Sequence, residues 1–445
     1  MSDQTLIGPP PTPPATRLSL LSSPLHVLWI YPLLFAAFYT VAYTFGLYLA
    51  RPTDQSMHTW DVNWYWSVAR EGYQYSETQQ TNSPFFPMLP WVWRLTGLST
   101  LGMGLLNAAI ALTGLGLLAR TLRLTLPQTL LLASVPSAFI WSIPYAEAIF
   151  YWFGALLLIG LHRDRLPLIL LGLFGCCLTR SAATLLIPAF GFTILLDFAG
   201  TRSFRRTAGY LLSGLLVMAL AIGLIMWIQA RDTGEPLAFF KGIAHWKHVL
   251  RFPPRLPFYT DPGTPLFWLD ALALFVQIGS ALTVLTLLGR WLINLVRGTA
   301  WDRPPLTLRF ALGYFFGTAF YVMAYQESNM VGANRYVFAT PYFAVLMTYA
   351  WHWTRTSPRW RHWVAGGGLL GLVAGAVLFG FPYKFDNFLP GEVIVYLGLM
   401  ALYALLWIVS QQEPLRREIT TGLCLFNLVM QGFLLNLFLQ SIWVG

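Results

Sequence analysis

Charged residues are scarce in this sequence: they make up 10% of its 445 residues, whereas a soluble domain carries about 25%. Hydrophobic residues reach 56%. The shortage of charge is too large for an ordinary soluble domain, so the composition predicts an all-α polytopic membrane protein. The net charge of +10 would suit a nucleic-acid partner. In a membrane chain it indicates a basic cytoplasmic surface instead, and we expect membrane lipids and no nucleic acid as partners.

Cysteine is also rare, and the three cysteines, Cys176, Cys177 and Cys424, all lie within apolar runs. Their spacing matches neither a zinc site nor a disulfide framework. His245 and His248 lack a carboxylate or a further histidine at metal-ligand spacing, so no metal site is predicted. The sequence has no glycine-rich nucleotide loop, no internal repeat and no cleavable signal peptide, and we expect no cofactor.

Apolar runs recur along almost the whole chain, and a membrane-spanning helix needs about 20 apolar residues. These runs predict about 13 transmembrane helices, at roughly 27–50, 99–118, 126–143, 147–161, 166–179, 182–198, 208–229, 265–289, 307–325, 337–353, 363–382, 392–410 and 419–442. The proline-rich residues 1–26 precede them and are predicted to form a disordered cytoplasmic tail. Residues 27–445 are then a single transmembrane domain.

The distribution of positive charge predicts which loops face the cytoplasm. With the N-terminus inside and 166–198 split into two spans, one face holds 17 of the 28 Lys and Arg residues. A single span over 166–198 would move the clusters at Arg202–Arg206 and Arg355–Arg361 outside, which is unfavourable. The split is therefore preferred, and it brings Arg180 to the outer surface. It leaves two sizeable extracytoplasmic loops, at about 51–98 and 230–264.

The densest polar and aromatic pattern lies in the first outer loop, between residues 60 and 73. Helical spacing places Asp61 beside Tyr65 and Trp60 beside Trp64, and Gly72 is a natural C-terminal stop. A helix this aromatic suits the membrane interface. Asp61 is a candidate for chemistry there, but a helix-start charge has the same pattern. The aromatic residues also fit a simple interfacial belt.

Further polar groups lie on the same predicted side. Glu147 follows Tyr145 at the mouth of a helix, and Arg180 lies in an apolar stretch. Ionisable residues at membrane depth suggest function, and a structural ion pair between Glu147 and Arg180 fits the same pattern. The second loop combines aromatics with cations and suits a lipid-linked phosphate or anionic lipid headgroups. The remaining candidates for binding are His245, Lys247, Arg251, Arg335 and Tyr336.

Six short stretches, in order along residues 60–343, resemble the PIG-V-like mannosyltransferases, a branch of the GT-C superfamily of membrane glycosyltransferases. They are Trp60-Asp61 with Trp64-Tyr65 and Gly72-Tyr73, Phe85-Phe86-Pro87 with Pro90, Tyr145-Ala146-Glu147-Ala148-Ile149-Phe150, Leu178-Thr179-Arg180-Ser181, Gly234-Glu235-Pro236-Leu237-Ala238-Phe239, and Arg335-Tyr336 with Pro341.

The resemblance implies a GT-C fold and a polyprenyl- or dolichyl-phosphate donor that carries a monosaccharide, with mannose as the expected sugar. It also implies inverting transfer to a glycan or glycolipid acceptor at the extracytoplasmic face. Asp61 stands where the family has its catalytic carboxylate, so it is the expected general base. Trp60, Trp64, Tyr65, Tyr145 and Glu147 are expected to bind substrate, together with Arg180, His245, Lys247, Arg251, Arg335 and Tyr336.

Two other classes of protein stay open at this point. A transporter or flippase of a lipid-linked sugar would use Glu147 and Arg180 as pathway charges. A polymerase or ligase of the O-antigen type would take a lipid-diphosphate donor and favours a very large outer loop. The outer loops have no Asn-x-Ser/Thr glycosylation sequence, which favours a bacterial plasma membrane over the endoplasmic reticulum of a eukaryote.

Overall fold

The computed structural model describes residues 23–201, 204–246, 258–260, 264–299, 303–326, 328–357, 359–379 and 390–444. The regular secondary structure of these residues is helical, and their β pairing is confined to one bridge between Tyr259 and Asn329. The predicted all-α class is confirmed. Most of the predicted cytoplasmic tail, residues 1–22, lies outside the described residues.

Within the described chain the helices vary from one turn to nine turns in length. In chain order they are α1 Val27–Thr44, α2 Asp54–Met57, α3 Asp61–Glu71, α4 Met88–Thr96, α5 Thr100–Thr121, α6 Leu126–Ala133, α7 Glu147–Arg163, α8 Leu166–Thr179, α9 Leu186–Thr201, α10 Phe204–Thr233, α11 Ala238–Gly242, α12 Thr264–Arg297, α13 Leu306–Tyr325, α14 Ala333–Val337, α15 Pro341–Thr356, α16 Trp360–Phe379, α17 Pro390–Val409 and α18 Arg416–Leu439.

Seven helices of the described chain are long and apolar enough to cross a membrane, and they lie in α1, α5, α10, α12, α13, α16 and α18. A bent pair, Pro136–Ser142 with Glu147–Arg163, meets the same criteria when taken together. Three shorter apolar helices belong to α8, α9 and α17. This is the architecture of a multi-pass membrane protein, as the composition predicted, and the number of 13 spans stays a prediction.

The segment predicted as one span at 126–143 is not a continuous helix, and this prediction was wrong. The helix α6 ends at Ala133, a 3-10 helix runs over Pro136–Ser142, and α7 starts at Glu147 after a bend of 106°. Proline lacks the N–H that a helix interior requires, so Pro136 and Pro144 interrupt the run. As a result Glu147 lies at the first turn of α7, beside a bend.

The predicted break within 166–198 is present at Arg180. The helix α8 ends at Thr179, and Arg180 has an extended backbone with φ −149° and ψ 148°. A 3-10 turn over Ser181–Leu185 then leads into α9. Because the backbone leaves the helix here, the Arg180 side chain is not confined to the helix surface.

The two loop regions that we predicted to lie outside are bonded to each other. The side chain of Gln229 donates to the carbonyl of Ser83 at 2.7 Å and accepts from the backbone N–H of Phe239 at 2.7 Å. Ser83 in turn donates to the carbonyl of Ala238 at 3.0 Å. Buried amide groups satisfied in this way fix one loop against the other.

The end of the chain also packs against the first loop. The carboxamide oxygen of Asn436 accepts hydrogen bonds from the backbone N–H groups of Leu49 and Ala50, at 2.8 Å and 3.1 Å. The Trp443 ring meets the Trp60 ring edge-on at 5.1 Å. The helix α18 therefore supports the start of the loop that carries Asp61.

Membrane orientation is tested by cysteine labelling. We expect Glu71→Cys to react with an impermeant reagent added from the extracytoplasmic side and Arg359→Cys to react from the cytoplasmic side, since both side chains are exposed. The wild-type protein is the control, because it has buried Cys176 and Cys177 and half-buried Cys424. Labelling of both variants from the same side would overturn the predicted topology.

Candidate active site

Four charged side chains from distant parts of the chain meet in one buried group, which we call the charge cluster: Asp61, Glu147, Arg180 and Arg335. The Oε1 atom of Glu147 accepts from Arg335 Nε at 2.7 Å and from Arg335 Nη2, and it lies 2.8 Å from Arg180 Nη1. Arg335 Nη1 lies 3.7 Å from Asp61 Oδ2. One carboxylate thus holds two guanidinium groups, and one of these also faces the second carboxylate.

Asp61 is the first residue of α3, and an unusual backbone conformation places it there. Trp60, which precedes it, has φ 51° and ψ −130°, a region that side-chain-bearing residues rarely adopt. The N–H of Asp61 donates to Tyr145 Oη at 3.3 Å. The helix ends where the sequence predicted, at Gly72 with φ 85°. Asp61 is therefore held in the first turn without being the N-cap residue itself.

The position of Glu147 depends on close packing of α5 against the bend before α7. Asn107 of α5 donates from Nδ2 to the carbonyls of Ile143 and Tyr145, both at 2.8 Å. A Cβ atom on Gly104 would lie 2.5 Å from the carbonyl oxygen of Ser142, so this approach requires glycine. These contacts pin the turn that ends at Glu147.

Arg335 is positioned by a network around a buried acid. Asp270 of α12 accepts from the N–H and the Nδ2 of Asn334, at 3.0 Å and 2.6 Å, and from Thr260 Oγ1 at 2.9 Å. Ser137 Oγ donates to the Oδ1 of Asn334 at 2.9 Å. Both polar atoms of the Asn334 side chain are thus hydrogen-bonded, which orients the short helix α14 and the adjacent Arg335.

Exposure separates the two carboxylates of the charge cluster. The Glu147 side chain is 2% exposed, whereas the Asp61 side chain is 18% exposed. Burial raises the pKa of Asp61 to about 6, even though Arg335 acts in the opposite direction. Burial disfavours the charge on Arg335, but the carboxylates of Glu147 and Asp61 outweigh it and raise the pKa of Arg335. Asp61 is therefore the carboxylate with access and with a pKa near neutral.

Aromatic rings cover both arginines. The guanidinium carbon of Arg335 lies 5.0 Å from the centre of the Tyr145 ring, and that of Arg180 lies 5.2 Å from the Tyr336 ring. At these distances a ring face attracts a cation. Tyr145 and Tyr336, two of the predicted binding residues, thus contact the arginines of the charge cluster, and their binding of substrate stays a prediction.

A second aromatic group extends from Tyr145 towards the second loop. The Tyr65 ring lies 6.5 Å from Tyr145 and 5.0 Å from Phe85, and Phe85 lies 6.0 Å from Trp64. Trp246 completes the group at 5.6 Å from both Trp64 and Phe85. We call Tyr65, Trp64, Phe85 and Trp246 the aromatic shelf. It links the charge cluster to residues of both loops.

The other predicted binding residues differ in their placement. Trp60 packs against Trp443 and is 38% exposed. His245 is half-buried, and its carbonyl accepts from Gln80 Nε2 at 3.2 Å. Lys247 and Arg251 lie outside the described residues. In the described part of the chain, no group of three His, Cys, Asp or Glu side chains is placed to hold a metal ion.

Several residues that build the site were missed by the sequence interpretation. Asp270 had a usable signal, because it is an acid inside the apolar run 265–289, and such residues suggest function or pairing. Asn334 directly precedes Arg335, but its bonds to Asp270 have no local signature. Trp246 and Trp443 are two of 19 tryptophans, and composition gives no reason to select them.

No protein-family model matches the sequence, and neither does any curated protein. The chain is similar to the crystal structure of ArnT from Cupriavidus metallidurans bound to undecaprenyl phosphate, with 17% identity and a TM-score of 0.46. It is also similar to the apo form of that protein, with 14% identity and a TM-score of 0.38. Each match covers 93% of this chain and 77% of the other.

Proposed function

We propose that this chain is a membrane glycosyltransferase of the GT-C type. It transfers a monosaccharide, with mannose as the expected sugar, from a polyprenyl or dolichyl phosphate to a glycan or glycolipid acceptor at the extracytoplasmic face. The observation that carries the proposal is the charge cluster. A partly exposed carboxylate with a pKa of about 6 lies beside two arginines that a second, buried carboxylate holds in place.

In this reaction Asp61 is the general base. It accepts the proton of the acceptor hydroxyl as the oxygen attacks the anomeric carbon of the sugar. A bond forms between this oxygen and the anomeric carbon, while the bond from that carbon to the phosphate oxygen breaks. The electron pair leaves with the phosphate, and the configuration at the anomeric carbon inverts. Glu147 is an unsuitable base, because it is closed to solvent and paired with two cations.

Arg335 and Arg180 stabilise the departing lipid phosphate. A guanidinium group carries five N–H donors, so a group bonded to Glu147 through one or two of them can still serve a phosphate. Low exposure strengthens the field of both groups, since few water dipoles screen them. The half-buried rings of the aromatic shelf, Trp64, Phe85 and Trp246, offer faces on which the sugar stacks, while Tyr65 and Tyr145 are buried behind them. Lys247 and Arg251 stay candidates for the lipid phosphate.

The proposal is tested by transfer of label. Purified protein receives a panel of radiolabelled polyprenyl-phosphate sugars together with a membrane extract, and labelled product is separated from donor. We expect label to move from one polyprenyl-phosphate sugar to an extracted acceptor, and Asp61→Asn to abolish most of this transfer. An inverted anomeric bond in the product checks the stereochemistry.

Two outcomes of this assay would replace the proposal. Transfer that requires a lipid-diphosphate donor would favour a polymerase or ligase of the O-antigen type. Movement of an unchanged lipid-linked sugar across vesicles, with no new glycosidic bond, would identify a transporter. The same assay can be repeated on separated membrane fractions of the cells. The fraction that holds the transfer activity assigns the protein to the bacterial plasma membrane or to the endoplasmic reticulum.

The two arginines are expected to differ when they are replaced by lysine. Arg335 bonds Glu147 through two nitrogens and faces Asp61, whereas Arg180 pairs through Nη1 alone. Lysine keeps the charge but loses the planar fork. We therefore expect Arg335→Lys to weaken donor affinity about tenfold more than Arg180→Lys, and both alanine variants to weaken it further. Wild-type donor affinity in both alanine variants would show that the arginines are structural.

The pH dependence of turnover follows from the pKa of Asp61, which burial raises to about 6. Below that pH the carboxyl group carries a proton and is unable to accept another, so kcat/KM should fall as the pH decreases through about 6. Asp61→Glu serves as the comparison, since a longer acid in the same place should shift the pH at which kcat/KM falls. The assignment would be contradicted by a kcat/KM that is constant between about pH 5 and 8, or by a pH profile of Asp61→Glu identical to that of the wild type.

A further inference from the structure

A cavity of about 410 Å³ lies at the opposite end of α7 from the charge cluster. Four of its lining residues are apolar, namely Leu117, Leu156, Ile159 and Leu168, and the others are Arg120, Thr121 and Arg163. Three helix ends form it: the last turns of α5 and α7 and the first turn of α8. An apolar wall combined with two cations is the composition of a site for an amphipathic anion.

This cavity is separate from the proposed active site. Glu147 begins α7 and Arg163 ends it, and a helix rises about 1.5 Å per residue. The two residues are therefore roughly 24 Å apart along the helix axis, which approaches the roughly 30 Å thickness of the hydrocarbon core. If the charge cluster lies at the extracytoplasmic face, the cavity lies at the cytoplasmic interface.

The two arginines of the cavity are exposed and are not neutralised by acids. Arg163 donates from Nη2 to Thr121 Oγ1 at 3.3 Å. This bond holds the Arg163 side chain beside Thr121, which directly follows Arg120 in the chain. Within the described chain no carboxylate forms an ion pair with Arg120 or Arg163. The acid next in sequence, Asp164, accepts from the hydroxyl of Tyr210 at 2.8 Å. Among the residues that the structure describes, the positive charge of Arg120 and Arg163 is thus not neutralised by an ion pair.

We propose that this cavity binds an anionic phospholipid of the cytoplasmic leaflet. The lipid phosphate pairs with Arg120 and Arg163, and the acyl chains lie along the leucine and isoleucine wall. Basic pockets between transmembrane helices on the cytoplasmic side recognise such headgroups. A free phosphate ion would use the arginines but not the apolar wall, which is why a lipid is the preferred occupant.

Native mass spectrometry of the delipidated full-length protein tests this site. Phosphatidylglycerol and phosphatidylcholine with identical acyl chains are titrated, and binding constants are obtained for each lipid. We expect the wild type to prefer phosphatidylglycerol. The double variant Arg120→Ala with Arg163→Ala should bind phosphatidylglycerol about thirtyfold more weakly, since each arginine near an anionic surface is worth about 1 kcal/mol and 1.4 kcal/mol is tenfold. Its affinity for phosphatidylcholine should fall much less, because the choline ammonium of that lipid already offsets the charge of its phosphate.

Two further variants keep the test decisive. Arg359→Ala with Arg361→Ala removes the same charge from a different exposed site and should leave phosphatidylglycerol binding unchanged. Leu156→Trp fills the cavity but retains both arginines, and it should also weaken lipid binding. Equal losses in the two arginine pairs would show a diffuse surface effect and overturn the proposal. Unaltered binding in Arg120→Ala with Arg163→Ala, or full displacement of the lipid by inorganic phosphate, would overturn it as well.

Discussion

Replacing Asp61 by asparagine is expected to reduce turnover by about 10²- to 10⁴-fold, the usual contribution of general base catalysis. Asparagine keeps the shape of the side chain but accepts no proton from the acceptor. Donor binding should survive, because a neutral amide does not repel the lipid phosphate. The measurement is the single-turnover rate with saturating labelled donor, alongside a separate donor binding curve.

Glu71→Gln is the matched control for this variant. Glu71 is the last residue of the same helix, α3, and it is exposed, so the Glu71→Gln variant should have near-normal transfer activity. If Asp61 served only as a favourable charge at the start of the helix, Asp61→Asn would lose about 0.3–1 kcal/mol of stability and its turnover would hardly change. Near-normal turnover of folded, membrane-inserted Asp61→Asn would remove Asp61 from the mechanism.

Glu147→Gln is expected to destabilise the protein and to impair transfer together. Glu147 pairs with Arg180 and Arg335 through a single oxygen, and its side chain is almost fully buried. Removing one partner of a buried ion pair costs about 3–5 kcal/mol, because it leaves an uncompensated buried charge. Here two cations lose their counter-ion, so the melting temperature should fall and Arg335 should no longer be fixed beside Asp61.

Glu235→Gln is the control for this loss. It breaks the ion pair between Glu235 and Lys241, which has a distance of 2.6 Å but is much more exposed. Exposed pairs contribute about 0–1 kcal/mol, so this variant should melt close to the wild type. If Glu147→Gln melts like Glu235→Gln and retains wild-type donor affinity, Glu147 does not hold the arginines in the way that the contacts indicate.

The sequence alone determined those features that depend on near neighbours. Hydropathy over about 20 residues identified the apolar helices. Helical spacing with a terminal glycine identified the helix from Asp61 to Gly72, and the ionisable residues Glu147, Arg180 and Arg335 stood out against an apolar background. The sequence interpretation overestimated the length of the helix at 126–143, because prolines at 136 and 144 stop a helix that hydropathy alone would continue.

Only the tertiary structure decided how these residues act together. The charge cluster joins α3, α7, the end of α8 and α14, and no local pattern specifies which of many charges become neighbours. The same holds for the buried bonds of Asp270 to Asn334 and for the contact between Trp443 and Trp60. Hydropathy and helix signals act over a few residues, whereas burial, exposure and pKa depend on packing between elements far apart in the chain. That packing leaves Asp61 accessible, encloses Glu147 and so separates the roles of two carboxylates that the sequence presents as alternatives.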